Sequence, residues 1–433
     1  MGDLPRRWLP RAAATGRVVG QLARTLARHA VSPDVASERA LGDAIVADLD
    51  RLKGLAMKVG QILSYMDVGL PDATTAALAR LQTGVKGMDF AEVEAVVAAS
   101  LGAPVDHLFE GFERAPVAAA SIGQVHRARL GGVPVAVKVR YPHVRDTLAG
   151  DLAQVRPLAA LASLTTAVDG AALVEELRER LLEECDYRTE QRAQEAAARA
   201  LAGDTALRVP PTFPDRCGDA VLTTAWMPGA PFAGLLAGPP EARNRAAATL
   251  ARFPWTTLFG HGFLHADPHP GNFLFPGGGE VTVLDWGSVR HFAPDEVEPF
   301  RALIVSVLDG NRARFREAVV ACGLAPRPDR FDFDAGWEMF SWLYAPYGGT
   351  SFRFDRAWWV AGRRWTGPGN PNQRHQGLPP AWIWLLRVQW GLGAVLVRLE
   401  AEGDFATALR EAVEGRAPSP TPNQPPPPRH TRA

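Results

Sequence analysis

The sequence predicts an α+β fold with two lobes, one small and strand-rich, one large and mostly helical, preceded by a helical extension. Three observations predict it. Apolar residues recur at three- and four-residue steps ahead of Gly102, two short apolar runs flank Gly131-Gly132, and helical patterns dominate after Met227. At 433 residues, 47% of them hydrophobic and 22% charged, the chain can bury a large core without covalent staples.

Residues 1–40 form a basic N-terminal segment. Its first 30 residues carry six arginines and one acid, Asp3, without the unbroken apolar stretch of a secretory signal. Val18–Leu26 reads as a short basic amphipathic helix, solvated or docked, with an anionic membrane surface as the other placement. Residues 41–101 read as helical. Leu49, Leu52, Ala56, Val59, Leu63 and Met66 form one apolar stripe, and Gly69-Leu70-Pro71 ends it. A second helix runs to Thr83, and a third starts at Phe90 with Asp89 as its N-cap.

Residues 102–226 make the small lobe. Val125–Leu130 and Val133–Val139, joined by Gly131-Gly132, predict a hairpin. A charged helix is expected from Leu173 to about Ala202, and a strand from Ala220 to Trp226 before Met227-Pro228-Gly229. Residues 227–415 make the large lobe, helical except for a hairpin-like unit, Asn272–Leu284, turning at Gly277-Gly278-Gly279. Ala381–Val397 is apolar but interrupted by Arg387 and Gln389, which predicts a buried helix and not a membrane span. Residues 416–433 form a proline-rich tail outside any core.

Composition narrows the function. The 47 basic and 47 acidic residues cancel, which argues against nucleic acid as a partner. Three scattered cysteines, Cys185, Cys217 and Cys322, provide neither a disulfide framework nor a cysteine-rich zinc site, and fit a reducing, cytoplasmic setting. Only four of the 47 basic residues are lysine (Lys53, Lys58, Lys86 and Lys138), leaving 43 arginines. Where a compact ammonium is needed arginine is not an equivalent replacement, so each of the four lysines is worth checking for such a role, with about half of them expected to be incidental.

The strongest chemical signal is HADPHPGNF, His265–Phe273, followed by VLDWG, Val283–Gly287. Asp267 lies five residues before Asn272, and Asp285 eighteen after Asp267. This is the H-x-D-x-x-x-x-N plus D-x-G arrangement of kinase-like phosphotransferases. Phosphoryl transfer needs a carboxylate to orient or deprotonate the acceptor, here Asp267. It also needs oxygen ligands for Mg²⁺ on the phosphates, here Asn272 and Asp285. Lys138, in PVAVKV, has the context of the strand lysine that meets the α- and β-phosphates. Its acidic partner should come from EECDYRTE, where Glu183, Glu184, Asp186 and Glu190 are all candidates. Ahead of the hairpin, VAAASIGQVHRA keeps one glycine, Gly123, where a kinase has several; Ala118, Ala119, Ala120 and Ser121 replace the rest. Alanine resists the positive φ that turns amides toward phosphate, so this loop should grip ATP differently.

Together these motifs resemble the UbiB family of atypical kinases, also called AarF or ABC-one-type kinases. KVGQ (Lys58–Gln61), AAASIGQVH (Ala118–His126), ECDYRTE (Glu184–Glu190) and HADPHPGN with LDWG carry the resemblance, over roughly Ala40–Leu399. It implies a protein-kinase-like two-lobed fold whose KxGQ extension occludes the peptide site and so disfavours protein phosphorylation. It implies that Lys58 and Gln61 point into the active site, that Glu184 and Asp186 meet the extension, and that Glu190 pairs with Lys138. It implies ATP with Mg²⁺, or Mn²⁺ in its place, and an alanine-rich loop that tempers ATP binding. Anionic membrane lipid, quinone precursors and quinone-biosynthesis enzymes become the expected partners, with the protein cytoplasmic or peripheral at the inner face of the membrane.

Two features depart from the family. Thr224-Ala225-Trp226 lacks the usual acidic residue before the hinge, and Trp286 replaces a common phenylalanine. Two other readings stand beside this one. An aminoglycoside-phosphotransferase-like kinase shares the His265–Asn272 and Asp285–Gly287 motifs but lacks KVGQ and the alanine-rich loop. A nucleotide-gated lipid-binding or chaperone-like module would use ATP to control binding by the helical lobe.

Overall fold

The computed structural model describes residues 87–120, 122–142, 144–145, 182–366, 369–377 and 379–415. The expected helices before Thr83, with Lys58 and Gln61, lie outside these residues, as do Ser121 and the tail. In chain order the elements are α1 (Phe90–Leu101), α2 (Val105–Leu108), β1 (Ala118–Ala119), β2 (Gly123–Leu130), β3 (Val133–Arg140), α3 (Tyr187–Ala200), β4 (Leu207–Arg208) and β5 (Val221–Ala225). There follow α4 (Phe232–Leu236), α5 (Pro240–His261), β6 (Phe263–His265), β7 (Phe273–Gly277), β8 (Glu280–Val283) and β9 (Val289–His291). The chain continues through α6 (Pro294–Leu308), α7 (Arg312–Ala321), α8 (Phe333–Tyr344), β10 (Phe352–Arg353), α9 (Arg356–Thr366), α10 (Pro380–Arg398), β11 (Glu402–Gly403) and α11 (Ala406–Val413).

The chain divides into two compact units. Among the described residues, the first takes those from Gly87 to Ala193, Pro211–Trp226 and Arg363–Pro380; the second takes Gln194–Pro210, Met227–Gly362 and Ala381–Gly415. In the first, β1-β2-β3-β5 form an antiparallel sheet. The predicted hairpin is β2–β3, and its turn uses Gly131 and Gly132 at φ 56° and 77°. Two consecutive positive φ values define a turn that follows the strand twist, and glycine adopts them without steric cost. Val135, Val137 and Val139 of β3 pack with Val93 and Val97 of α1, all fully buried. The N-terminus of α1 has a complete capping box: Asp89 Oδ1 accepts from Glu92 N–H at 2.9 Å and Glu92 Oε2 from Asp89 N–H at 3.0 Å.

The expected helix from Leu173 to Ala202 is not continuous. Leu182–Glu184 are helical, Cys185 turns, and α3 starts at Tyr187. Asp186 stands outside the helix, its Oδ1 accepting from Arg188 N–H at 3.0 Å and its carbonyl from Thr189 N–H at 2.9 Å. Aspartate competes for backbone N–H groups, so it ends one segment and opens the next.

The second unit holds β4-β8-β7, with β4 parallel to β8 and β7 antiparallel, and the pair β6–β9. Its aromatic core includes Trp255, Trp286, Trp382, Tyr344, Phe315 and Phe340, each less than 3% exposed. Helix α10 covers the apolar run 381–397, and Trp382, Leu385, Val388 and Leu396 are buried as expected of a core helix. Among the described residues no helix is long and apolar enough to cross a membrane.

Candidate functional site

The first unit brings Lys138 and Glu190 together. Lys138 sits near the end of β3, in register with Val125 of β2 and Leu222 of β5, so neighbours on both sides fix its strand. Its Nζ lies 2.9 Å from both Oε1 and Oε2 of Glu190, in the first turn of α3. The side chains are 12% and 2% exposed. The Tyr187 ring, one turn earlier, faces the same ammonium at 5.0 Å from its centroid. Of the four acids that residue pattern left open, the one on Lys138 is Glu190, the residue the family resemblance implied. Glu183 is exposed, while Glu184 and Asp186 are half-buried.

The alanine-rich segment is an edge strand. Ala118 and Ala119 pair with Val125 and Gln124, Val117 N–H donates to the Val125 carbonyl at 2.8 Å, and Ala120 N–H to the Gly123 carbonyl at 2.8 Å. Gly123 begins β2, and its φ is not positive. Glycine is demanded there by close approach: a Cβ would lie 2.3 Å from the Val139 carbonyl oxygen and 2.7 Å from Tyr187 Oη. The reason for this glycine is thus packing beneath the lysine strand, where the sequence suggested a backbone turned toward phosphate.

The second unit collects Asp267, Asn272 and Asp285. Strand β6 delivers the segment, Pro270–Asn272 make a single 3-10 turn, and Asn272 Nδ2 reaches back to Asp267 Oδ2 at 2.8 Å and to its carbonyl at 3.2 Å. The amide nitrogen is committed to Asp267, which leaves Oδ1 as the atom of Asn272 that could ligate a metal. Asp267 Oδ1 accepts from Arg387 Nη2 of α10 at 2.8 Å. His265 Nε2–H donates to the Asp285 carbonyl at 2.6 Å, tying β6 to the D-x-G segment, and Asp285 Oδ1 accepts from Gly287 N–H at 2.9 Å. Burial holds the His265 pKa below its usual 6.5, outweighing the Asp285 carbonyl and the Asp267 and Asp285 carboxylates. Trp286 fills an apolar slot at 1% exposure, its Nε1–H donating to the Val283 carbonyl and its ring standing edge-on to His265 at 5.2 Å.

Hard oxygen donors from one carboxylate and one amide fit Mg²⁺, which takes few protein ligands and completes its shell with phosphates and water. Among the described residues no group of three or more His, Cys, Asp or Glu is placed to hold a metal ion.

Sequence reasoning missed two positions on α10. Arg387 was visible only as an interruption of an apolar run, yet it is the cation on Asp267. The signal was legible: a charge on a helix that must be buried needs a partner. Gly391, one turn on, leaves room for Pro268; a Cβ there would fall 2.4 Å from Pro268 Cγ. This face of α10 backs the Asp267 segment.

Residues 80–319 match the family model of the ABC1 atypical kinase-like domain. The chain belongs to that family. The ABC1 chain is similar to the mitochondrial atypical kinase COQ8 of Saccharomyces cerevisiae, 33% identical over 65% of this chain and 57% of that one. It is similar also to mitochondrial COQ8B of Rattus norvegicus, 30% identical over 63% and 52% of the two chains. It spans about half the length of the curated relatives it matches. A solved structure, the Rv3197–erythromycin complex from Mycobacterium tuberculosis, matches with a TM-score of 0.64 at 27% identity, over 93% of this chain and 99% of that chain. The fold of the ABC1 chain is kinase-like.

Proposed function

We propose that the chain is an ATP-dependent atypical kinase or ATPase that binds Mg-ATP and acts in support of isoprenoid quinone or related lipid metabolism. The observation that carries this is the Lys138–Glu190 pair. A bidentate, largely buried ion pair contributes little net stability, because desolvation offsets the attraction, so its value lies in holding an ammonium at a fixed point. In this reading Lys138 receives the α- and β-phosphates, and Asn272 Oδ1 and the Asp285 carboxylate hold Mg²⁺, or Mn²⁺ in its place. The metal would neutralise charge on the transferring phosphate. Asp267, with Arg387 on one oxygen and Asn272 on the other, orients the acceptor hydroxyl or water. The alanine-rich strand, with Ser121, meets the nucleotide; Lys58 and Gln61, with Glu184 and Asp186, restrict access so that small acceptors are favoured over protein. The atypical-kinase names of the relatives support the chemistry, and the COQ8 resemblance supports the quinone setting.

A second reading, nucleotide-gated binding of a bulky small molecule, is favoured by one observation: the matching Rv3197 structure is a complex with erythromycin. The test measures ADP release with Mg²⁺, with and without anionic liposomes, quinone-precursor phenols, an aminoglycoside and erythromycin. Stimulation by lipid or phenol is expected, and Asp285→Asn should abolish turnover. Equal turnover in Asp285→Asn would remove the metal assignment. Turnover that depends on the aminoglycoside would indicate an antibiotic kinase, and ATP-dependent erythromycin binding without ADP release would favour the second reading.

A further inference from the structure

The alanine-rich motif contains two polar side chains that contact with phosphate leaves unused. Gln124 and His126 are 1% and 0% exposed. They alternate with Val125, the register partner of Lys138, and so project from the opposite face of the sheet. Their hydrogen bonds form one directed chain. His126 Nδ1 lies 2.8 Å from the Glu113 carbonyl, which can only accept, so Nδ1 carries the proton. In the neutral ring Nε2 is then an acceptor, for the Gln124 amide nitrogen at 2.9 Å. That fixes the amide's orientation and leaves Gln124 Oε1 to accept from Met88 N–H at 2.9 Å. A charged His126 would set two donors against each other. Burial prevents this, holding the His126 pKa below 6.5 despite the Glu113 carbonyl. Phe112 stacks on the ring at 5.0 Å, and Gly87 keeps the approach clear, since a Cβ there would sit 3.0 Å from Gln124 Oε1.

The same residue holds the alanine-rich strand. Gln124 is the register partner of Ala119, and the bonds of Val117 and Ala120 to Val125 and Gly123 flank it on either side. One strand residue therefore grips Met88 by its side chain and faces Ala119 across the ladder.

We propose that Gln124, oriented by His126, is a positioning residue that ties the chain arriving at Gly87-Met88 to the alanine-rich strand. Nucleotide contact at Ala118–Ala120 and the placement of Gly87-Met88 are then one coupled equilibrium. The nucleotide half of this rests on the proposed function; the mechanical half does not.

The test combines amide exchange at Met88, Ala119 and Ala120 with titration of a non-hydrolysable Mg-ATP analogue. Gln124→Leu removes the side-chain hydrogen bonds to His126 and to the Met88 N–H, with the longer one to the Met88 carbonyl at 3.5 Å, and exchange at all three amides should rise together by about tenfold, with the analogue binding about threefold more weakly as ordering of the strand is deferred to binding. Gln124→Glu is the conservative variant. Its neutral carboxyl can accept from Met88 and donate O–H to His126 Nε2, so exchange and affinity should return to within about twofold of wild type. A folded Gln124→Leu protein in which Met88 exchanges faster while Ala119 and Ala120 do not would overturn the tie. Should that variant not fold, the wild type decides. Linkage requires the analogue to protect Met88 along with Ala119 and Ala120, and protection that stops at Ala120 overturns the proposal. A wild type that binds no analogue counts against the proposed function, while the exchange comparison still decides the mechanical tie.

Discussion

Replacing Arg387 with methionine tests how Asp267 is held. Methionine keeps an unbranched, flexible stem and removes the cation. The pair it breaks has an Nη2–Oδ1 distance of 2.8 Å and side chains 9% and 19% exposed. Removing one partner from a fully buried pair costs about 3–5 kcal/mol, mostly for stranding the other charge. Asp267 retains its bond from Asn272 and some access to water, so the cost here should be about 2 kcal/mol, or a fall of about 5 °C in thermal midpoint. The larger effect should be on rate. A carboxylate freed to rotate loses its alignment, and misplacement of about an ångström costs about a hundredfold. Mg²⁺-dependent ADP release should therefore fall about a hundredfold while the nucleotide dissociation constant moves less than threefold. Arg387→Lys keeps a cation that can make the single bond to Asp267 Oδ1 but loses the guanidinium over the Trp384 ring, so it should retain more activity than Arg387→Met and less than wild type. If Arg387→Met turned over ATP within threefold of wild type, the role given to Arg387 would be refuted.

Gly391→Ala should act in the same direction without touching a charge: its Cβ would fall 2.4 Å from Pro268 Cγ and push the Asp267 segment off α10. Expected are a loss of about 1–3 kcal/mol in urea denaturation and a fall in turnover, and an unchanged crystal position for Pro268 would contradict the reasoning. Gly123→Ala meets the rigid Val139 carbonyl at 2.3 Å and should cost about 2–4 kcal/mol, read as a lowered unfolding midpoint of the first unit. The pH dependence follows from His265 and His126. Both have folded pKa values held below 6.5, so the unfolded chain binds more protons, and their stabilising contribution is present above about pH 6.5 and lost as pH falls. Each can contribute a slope of up to about 1.4 kcal/mol per pH unit in urea midpoints taken between pH 7.5 and 5.5. A flat profile would contradict neutral burial.

Much of the site was legible in the sequence because its spacing is set by short-range geometry. Asp267 and Asn272 meet across one tight turn, so five residues of sequence already determine their contact. Gly131-Gly132 announced the hairpin, and the hairpin placed Lys138 beside Val125. Other features needed the fold. Arg387 lies 120 residues from Asp267, and nothing local in either segment records the pairing. The break at Cys185 and Asp186 was hidden by a composition that reads as helix throughout, because aspartate is tolerated in helices and better used at their ends.

What the sequence by itself determined is the family and the kinase-like fold class, together with the β2–β3 hairpin, since motif spacing and local periodicity encode these directly. Residue pattern alone left four acids open for Lys138 and the family resemblance pointed to Glu190; the tertiary structure shows that contact, and it alone decided what Gly123 is for and what holds Asp267. Those are choices between groups far apart in sequence, settled by which faces of β3, α3 and α10 are packed and by the rule that a buried charge must find its partner.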